Sequence, residues 1–186
     1  MRIISGKLKS KSINYIKDST TRPLKDSVKE NIFNVLNHSN QIEVSIKEAN
    51  ILDLYSGIGS FGLECISREA NKVTFIEQSK NTFNILKENL VALSVIDQAI
   101  IINDKIENFI DKINKEKFDI FFLDPPFADK DFIKILQSIK KNKLYKKKHI
   151  VIIHREKNAT DNLDGLVNTF ITKRYGRSKI IFGVFN

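Results

Sequence analysis

Between residue 50 and about residue 153, short runs that are apolar throughout alternate with longer stretches of helical periodicity. The runs are Ile51-Leu52-Asp53-Leu54, Val73-Thr74-Phe75-Ile76, Ala99-Ile100-Ile101-Ile102, residues 118–123 and residues 149–153. The helical stretches cover roughly 60–69, 79–95, 105–115 and 131–141. A run without polar alternation suits a strand buried on both faces. Strands separated by helices cross over in the right-handed sense and lie parallel. The expected fold class is therefore α/β, with helices on both faces of a mostly parallel sheet. Residues 170–173 and 180–184, around Tyr175-Gly176, read as a closing hairpin.

The front of the chain differs. Residues 1–20 alternate, with Ile3, Leu8, Ile13, Tyr15 and Ile16 among lysines and serines, and Ser5-Gly6 offers a turn. A short basic β-hairpin is expected there. Pro23 biases Arg22 away from helix. Asp26 or Ser27 then offers an N-cap for a helix striped by Val28, Ile32, Val35 and Leu36. The expected division is a small extension over residues 1–24 and a main domain over 25–186.

Composition excludes several classes. At 186 residues and 41% hydrophobic, the chain can bury a core and is not a disordered tail. Its single cysteine makes no internal disulfide, so a reducing, cytoplasmic compartment is expected. No apolar run approaches the roughly 18 residues of a membrane span. The first dozen residues carry Arg2, Lys7, Lys9 and Lys11 without an apolar stretch, unlike a secretory signal. The net charge is +9, from 31 basic and 22 acidic residues. Yet 25 of the 31 are Lys, beside abundant Ile and Asn, a bias that AT-rich coding produces by itself. Charge alone does not decide for nucleic acid.

The strongest local pattern is Asp53-Leu54-Tyr55-Ser56-Gly57-Ile58-Gly59-Ser60-Phe61-Gly62. It follows an expected strand and opens an expected helix, as a nucleotide-binding glycine turn does. Glu77 closes the second strand 20 residues after Gly57, where a carboxylate can accept from both ribose hydroxyls. A dinucleotide would bring a pyrophosphate, which an acid at Asp53 opposes. S-adenosylmethionine (SAM) instead carries an ammonium and a sulfonium, which Asp53 suits. A turn acid at Asp53, and a tight strand–helix turn without ligand, are the plainer alternatives.

Asp124-Pro125-Pro126-Phe127 ends the fourth expected strand. Ligands of an open parallel sheet bind beyond the carboxyl ends of its strands, so this segment and the glycine turn converge on one edge. An exocyclic base amine has its lone pair delocalised into the ring. Asp124 and the Pro125 carbonyl can accept its N–H groups and aim the nitrogen, and Phe127 can stack on the base. A proline-rich turn is the bland alternative. Asp104 ends the third strand and suits either the adenine edge or a helix cap. Cys65 suits the core.

With these blocks in place, the chain resembles the bacterial 16S rRNA guanine-N2 methyltransferases, the RsmD-type family, over nearly its whole length. The carrying residues are Arg2-Ile3-Ile4-Ser5-Gly6-Lys7, Thr21-Arg22-Pro23 with Lys29-Glu30-Asn31-Ile32-Phe33-Asn34-Val35-Leu36, the glycine block with Leu63-Glu64 and Ser67-Arg68, residues 124–127 and Tyr175-Gly176. The resemblance implies a class I SAM-dependent methyltransferase domain with a Rossmann-like, seven-stranded sheet whose last strand is antiparallel. It implies methyl transfer from SAM to N2 of a guanine in 16S rRNA, within a partly assembled 30S subunit. By position it implies Asp53, Gly57, Gly59, Glu77 and Asp104 at the cofactor, Asp124, Pro125 and Phe127 at the base, and Arg22 with the early basic segment (Arg2, Lys7, Lys9, Lys11, Lys29) at RNA. A monomer without metal or membrane attachment is expected. The chain departs from the family at Leu24, Ser27 and Lys29; lysine keeps charge but loses a bidentate fork. It also departs at Ile153-His154-Arg155-Glu156, where the family tends to an acid. A solvated or packed strand-end role is expected of His154.

Other functions are an adenine-N6 DNA methyltransferase, an inactive rRNA-binding relative and a nicotinamide oxidoreductase. The first normally carries an added recognition segment, and the last has no use for residues 124–127. The charge is also uneven: residues 1–30 hold eight basic and three acidic residues, residues 140–148 six lysines, and residues 173–179 four basic residues. The first cluster is expected to meet RNA phosphates, and the lysine run to be a solvated face.

Overall fold

The computed structural model describes residues 1–15, 24–113 and 116–186. Strands β1 (Asn50–Leu54), β2 (Lys72–Ile76), β3 (Ala99–Ile102), β4 (Phe118–Leu123) and β5 (Tyr145–Glu156) run parallel. β6 (Val167–Tyr175) and β7 (Ser178–Phe185) form a hairpin whose second strand runs antiparallel to β5. The sheet order is β3-β2-β1-β4-β5-β7-β6. The chain moves outward from β1 to β3 and then returns to place β4 on the other side of β1. That reversal opens a crevice beyond the carboxyl ends of β1 and β4.

Helices α1 (Asp26–His38), α2 (Ser60–Ser67), α3 (Lys80–Ala92), α4 (Ile106–Lys112) and α5 (Phe132–Lys141) complete the order. Successive strand residues belong to opposite cores. Ile51, Val73, Phe75, Ile120 and Phe122 pack with α1–α3 and the front segment; Leu52, Leu54, Ile76, Phe121 and Leu123 pack with α4 and α5. This two-sided burial is why the runs lack alternation, and it bears out the α/β expectation. Phe33 of α1, Phe61 of α2 and Phe122 of β4 stack in a column, with ring centroids 5.3 and 4.0 Å apart.

Three boundaries differ from expectation. β5 begins at Tyr145, four residues early, because Lys146 and Lys148 find acids: Asp119 at 2.7 Å and Glu43 at 3.1 Å. Neither Asp26 nor Ser27 caps α1. Lys25 is the cap residue without a side-chain bond, and Asp26 faces Lys29 at 3.7 Å. The front segment does fold back as a short hairpin, with Ile3 donating to the Lys11 carbonyl at 3.0 Å, Ser10 to the Ile3 carbonyl at 2.9 Å and Ile13 to the Met1 carbonyl at 3.0 Å, but its turn is displaced. Among the described residues its bridge is Arg2 with Ser12, and its tip, residues 6–10, lies beyond Ser5-Gly6. Other amides of the segment bond α2: Ile4 and Ser5 donate to Glu64, Lys7 to the Ser67 carbonyl and Leu8 to Ser67 Oγ. A helix side supplies the acceptors that a longer partner strand would have supplied.

Candidate active site

The turn after β1 carries three left-handed residues: Tyr55 at φ +60°, Gly57 at +56° and Gly59 at +87°. Glycine takes this backbone without steric cost and Tyr55 does not, so local strain is stored at the crevice. Glu77, just past β2, holds the turn. Its Oε2 accepts the Gly57 N–H at 2.9 Å and its Oε1 the Ser79 N–H at 2.7 Å. Each oxygen keeps a lone pair for a ligand hydroxyl. Burial pushes the Glu77 carboxyl above its usual range, against the pull of those amides.

Asp53 is 1% exposed. Its Oδ2 accepts the Gly62 N–H at 3.0 Å, whereas Oδ1 is buried without a partner among the described residues. Burial drives its carboxyl well above the ordinary range. A buried carboxylate oxygen without a partner, on the wall of a crevice, is complementary to a cationic ligand.

Across the crevice, the backbone N–H of Asp124 donates to the Leu54 carbonyl at 3.5 Å, tying the end of β4 to β1. Asp124 Oδ1 meets His154 Nδ1 at 2.7 Å. Among the described residues no hydrogen bond engages Oδ2 or the Pro125 carbonyl. The next two carbonyls are committed: Arg155 donates to Pro126 O at 3.1 Å and Phe127 O at 3.2 Å. Arg155 is itself buried, forked onto Asp161 at 2.9 and 3.0 Å, and stacked on the Phe132 ring. Phe127 is half-buried, its ring edge-on to His154 at 5.8 Å. Asp53, Gly57, Glu77, Asp124, Phe127 and His154 all line one cavity of about 840 Å³, within the size range of small-molecule sites.

Residues 1–184 match the family described as Conserved hypothetical protein 95. The chain belongs to this family. It is 33% identical over 181 residues to the ribosomal RNA small subunit methyltransferase D of Buchnera aphidicola subsp. Baizongia pistaciae, covering 97% of this chain and 88% of that one. The solved structure of yhhF from Escherichia coli superposes with a TM-score of 0.83 at 24% identity, over 98% of this chain and 96% of that one. HI0767 from Haemophilus influenzae gives 0.78 at 28% identity, over 100% and 98%. The fold is that of the class I SAM-dependent methyltransferases, and SAM is the cofactor. The orphaned Asp53 Oδ1 and the open space beside Gly57 fit its cationic end.

Within this family frame, the structure brings Asp53, Gly57, Glu77, Asp124, Pro125 and Phe127 to one cavity. Gly59 acts from behind, shaping the turn as the residue before α2. Asp104 is not on the cavity wall. It bonds Lys105 N and Asn108 Nδ2, both at 2.7 Å, at the start of α4, and these bonds lower its carboxyl below the usual range. These bonds are those of a residue at a helix start, the alternative to the adenine edge. Lys29 is fully buried, its ammonium on Arg2 O at 2.7 Å and facing Glu64 at 3.7 Å. Burial lowers its affinity for the proton despite those acids. It cannot meet RNA; it fastens the front segment to α2. Arg2, Lys7, Lys9 and Lys11 are exposed. Lys7 reaches Gln98 at 3.0 Å, just before β3, so the loop tip points away from the crevice and Arg2 lies nearer to it. Arg22 lies outside the described residues.

His154 is packed at its strand end, one of the two roles expected of it, but its bond to Asp124 and the parts of Arg155 and Asp161 were missed from sequence. One signal was available: the end of β5 must lie beside the end of β4 in any sheet of this order.

Proposed function

We propose that the chain methylates the exocyclic N2 amine of a guanine in small-subunit ribosomal RNA, acting as a cytoplasmic monomer on a partly assembled 30S particle. The observation that carries this is the pairing of two free acceptors, Asp124 Oδ2 and the Pro125 carbonyl, with a half-buried aromatic, Phe127, on the wall opposite the glycine turn. The Buchnera relative's name supports ribosomal RNA as the acceptor.

When bound, SAM supplies an electrophilic methyl group on a sulfonium sulfur. Asp53 complements the positive charge of that ligand, and Glu77 offers lone pairs to its hydroxyls. The guanine is splayed from its RNA context and stacked on Phe127. Asp124 Oδ2 and the Pro125 carbonyl accept the two N–H groups of the amine and turn its nitrogen toward the methyl group. As the new N–C bond forms, the C–S pair stays on sulfur and the amine loses a proton, to water or transiently to Asp124. Positioning supplies most of the gain, on the order of several kcal/mol. Exposed Arg2 and the basic end of the β6–β7 hairpin, with Lys173, Arg174 and Arg177, supply phosphate contacts.

The test is methyl transfer from labelled SAM to small-subunit particles, naked 16S rRNA and DNA, with nucleoside analysis of the product. The expected label is N2-methylguanosine in rRNA, with Asp124→Ala retaining SAM binding and losing turnover by orders of magnitude. Label in DNA adenine, or undiminished turnover in Asp124→Ala, overturns the proposal.

A further inference from the structure

Asp124 can aim an amine only if its own carboxylate is held still. It sits one residue past β4, with two side-chain torsions and a 24% exposed side chain. We propose that His154 is a positioning residue for methyl transfer, donating Nδ1–H to Asp124 Oδ1 so that Oδ2 is fixed toward the target amine. This rests on the function proposed above.

Three observations carry it. The separation of 2.7 Å is that of a strong, charge-assisted bond. The other ring nitrogen, Nε2, is buried without a partner among the described residues. A proton placed there would be an orphaned buried donor, so the neutral ring carries its proton on Nδ1. The ring is also anchored in the sheet. Its backbone is paired with Ile180 of β7, the preceding Ile153 is paired with Leu123 of β4, and its face meets the edge-on Phe127 ring. The imidazole thus transfers the rigidity of a central strand to a carboxylate on a loop. Arg155, the next residue, does the same for the loop backbone through the Pro126 and Phe127 carbonyls.

The test separates the donor from the ring. His154→Phe keeps an aromatic ring without the donor, and His154→Asn keeps an N–H near the Nδ1 position without the ring. His154→Phe is expected to lower kcat about tenfold to a hundredfold, with KM for RNA and the Kd of SAM unchanged. His154→Asn is expected to recover kcat to within about threefold of wild type. Independently of activity, proton NMR of the wild type should show a downfield imidazole N–H resonance that is lost in Asp124→Ala. Wild-type kcat in His154→Phe, an equal fall in both variants, or a resonance indifferent to Asp124→Ala overturns the assignment. If wild-type protein methylates no RNA, the proposed function fails, while the resonance still decides the hydrogen bond.

Discussion

Arg155 and Asp161 form a two-point ion pair, 2.9 and 3.0 Å long, with side chains only 2% and 9% exposed. The pair is the hinge pin of the base-side loop, because the same guanidinium holds the Pro126 and Phe127 carbonyls. Removing one partner strands a buried charge. Asp161→Asn should therefore cost about 3–5 kcal/mol of stability, read by chemical denaturation. Arg155→Lys, which keeps charge but cannot span four acceptors, should lower kcat more than it changes SAM affinity.

The buried carboxyl of Asp53 costs stability at neutral pH, which its proposed place at the cofactor would explain. Its folded-state affinity for a proton is raised by burial, so the stability it contributes is full below the unfolded carboxyl range and is lost as pH rises through its raised value. Glu77 acts in the same sense. Asp53→Asn should be more thermostable than wild type at about pH 8, with the gap closing toward about pH 4 in a melting series. The same variant should bind SAM more weakly, by calorimetry, because the amide has no charge to offer a cation.

The glycines of the turn should separate into two kinds. At Gly62 an added methyl would press into the Phe75 ring, so Gly62→Ala should cost about 1–3 kcal/mol through overpacking. At Gly57 nothing stands within 4 Å, and the penalty is the positive φ and an obstructed cavity wall. Gly57→Ala should fold, by circular dichroism, with SAM affinity reduced.

Front-segment lysines should divide the same way. Lys7, Lys9 and Lys11 are exposed. Their triple alanine variant should leave the melting temperature unchanged and reduce the slope of log affinity for rRNA against log salt by about 2 if all three meet phosphates. Lys29→Met should do the reverse. It removes a cation buried among Arg2 O, Ser60, Asp26 and Glu64, so stability falls while the salt slope is retained.

Much of this was legible in the sequence, and for identifiable reasons. Leu52 and Ile51 both need burial, so the run betrays a strand covered on both faces. Gly57 and Gly59 advertise a turn because only their backbone takes it cheaply. Asp124-Pro125-Pro126-Phe127 carries the chemistry proposed for it in four consecutive residues. Local pattern failed where a residue's partner is distant. Lys29 looked like a surface cation, yet Glu64 is 35 positions away and covers it, as 64 − 29 shows. The early alternation around Ile3 and Ile13 was real: their amides pair back across the segment, to Lys11 and Met1, while those of Ile4, Ser5, Lys7 and Leu8 reach α2, which no local pattern announces.

By itself the sequence determined the sheet class, the glycine turn and the convergence of Asp53, Glu77 and residues 124–127 on one cavity, because each is encoded by neighbours a few positions apart. Only the tertiary structure decided that Asp124 belongs with His154, 30 positions on, and that Arg155 holds the loop beside it. Those contacts exist because β5 lies in register along β4, pairing Ile153 with Leu123. Register is set by the packing of two whole cores against the sheet, which no short stretch of chain carries.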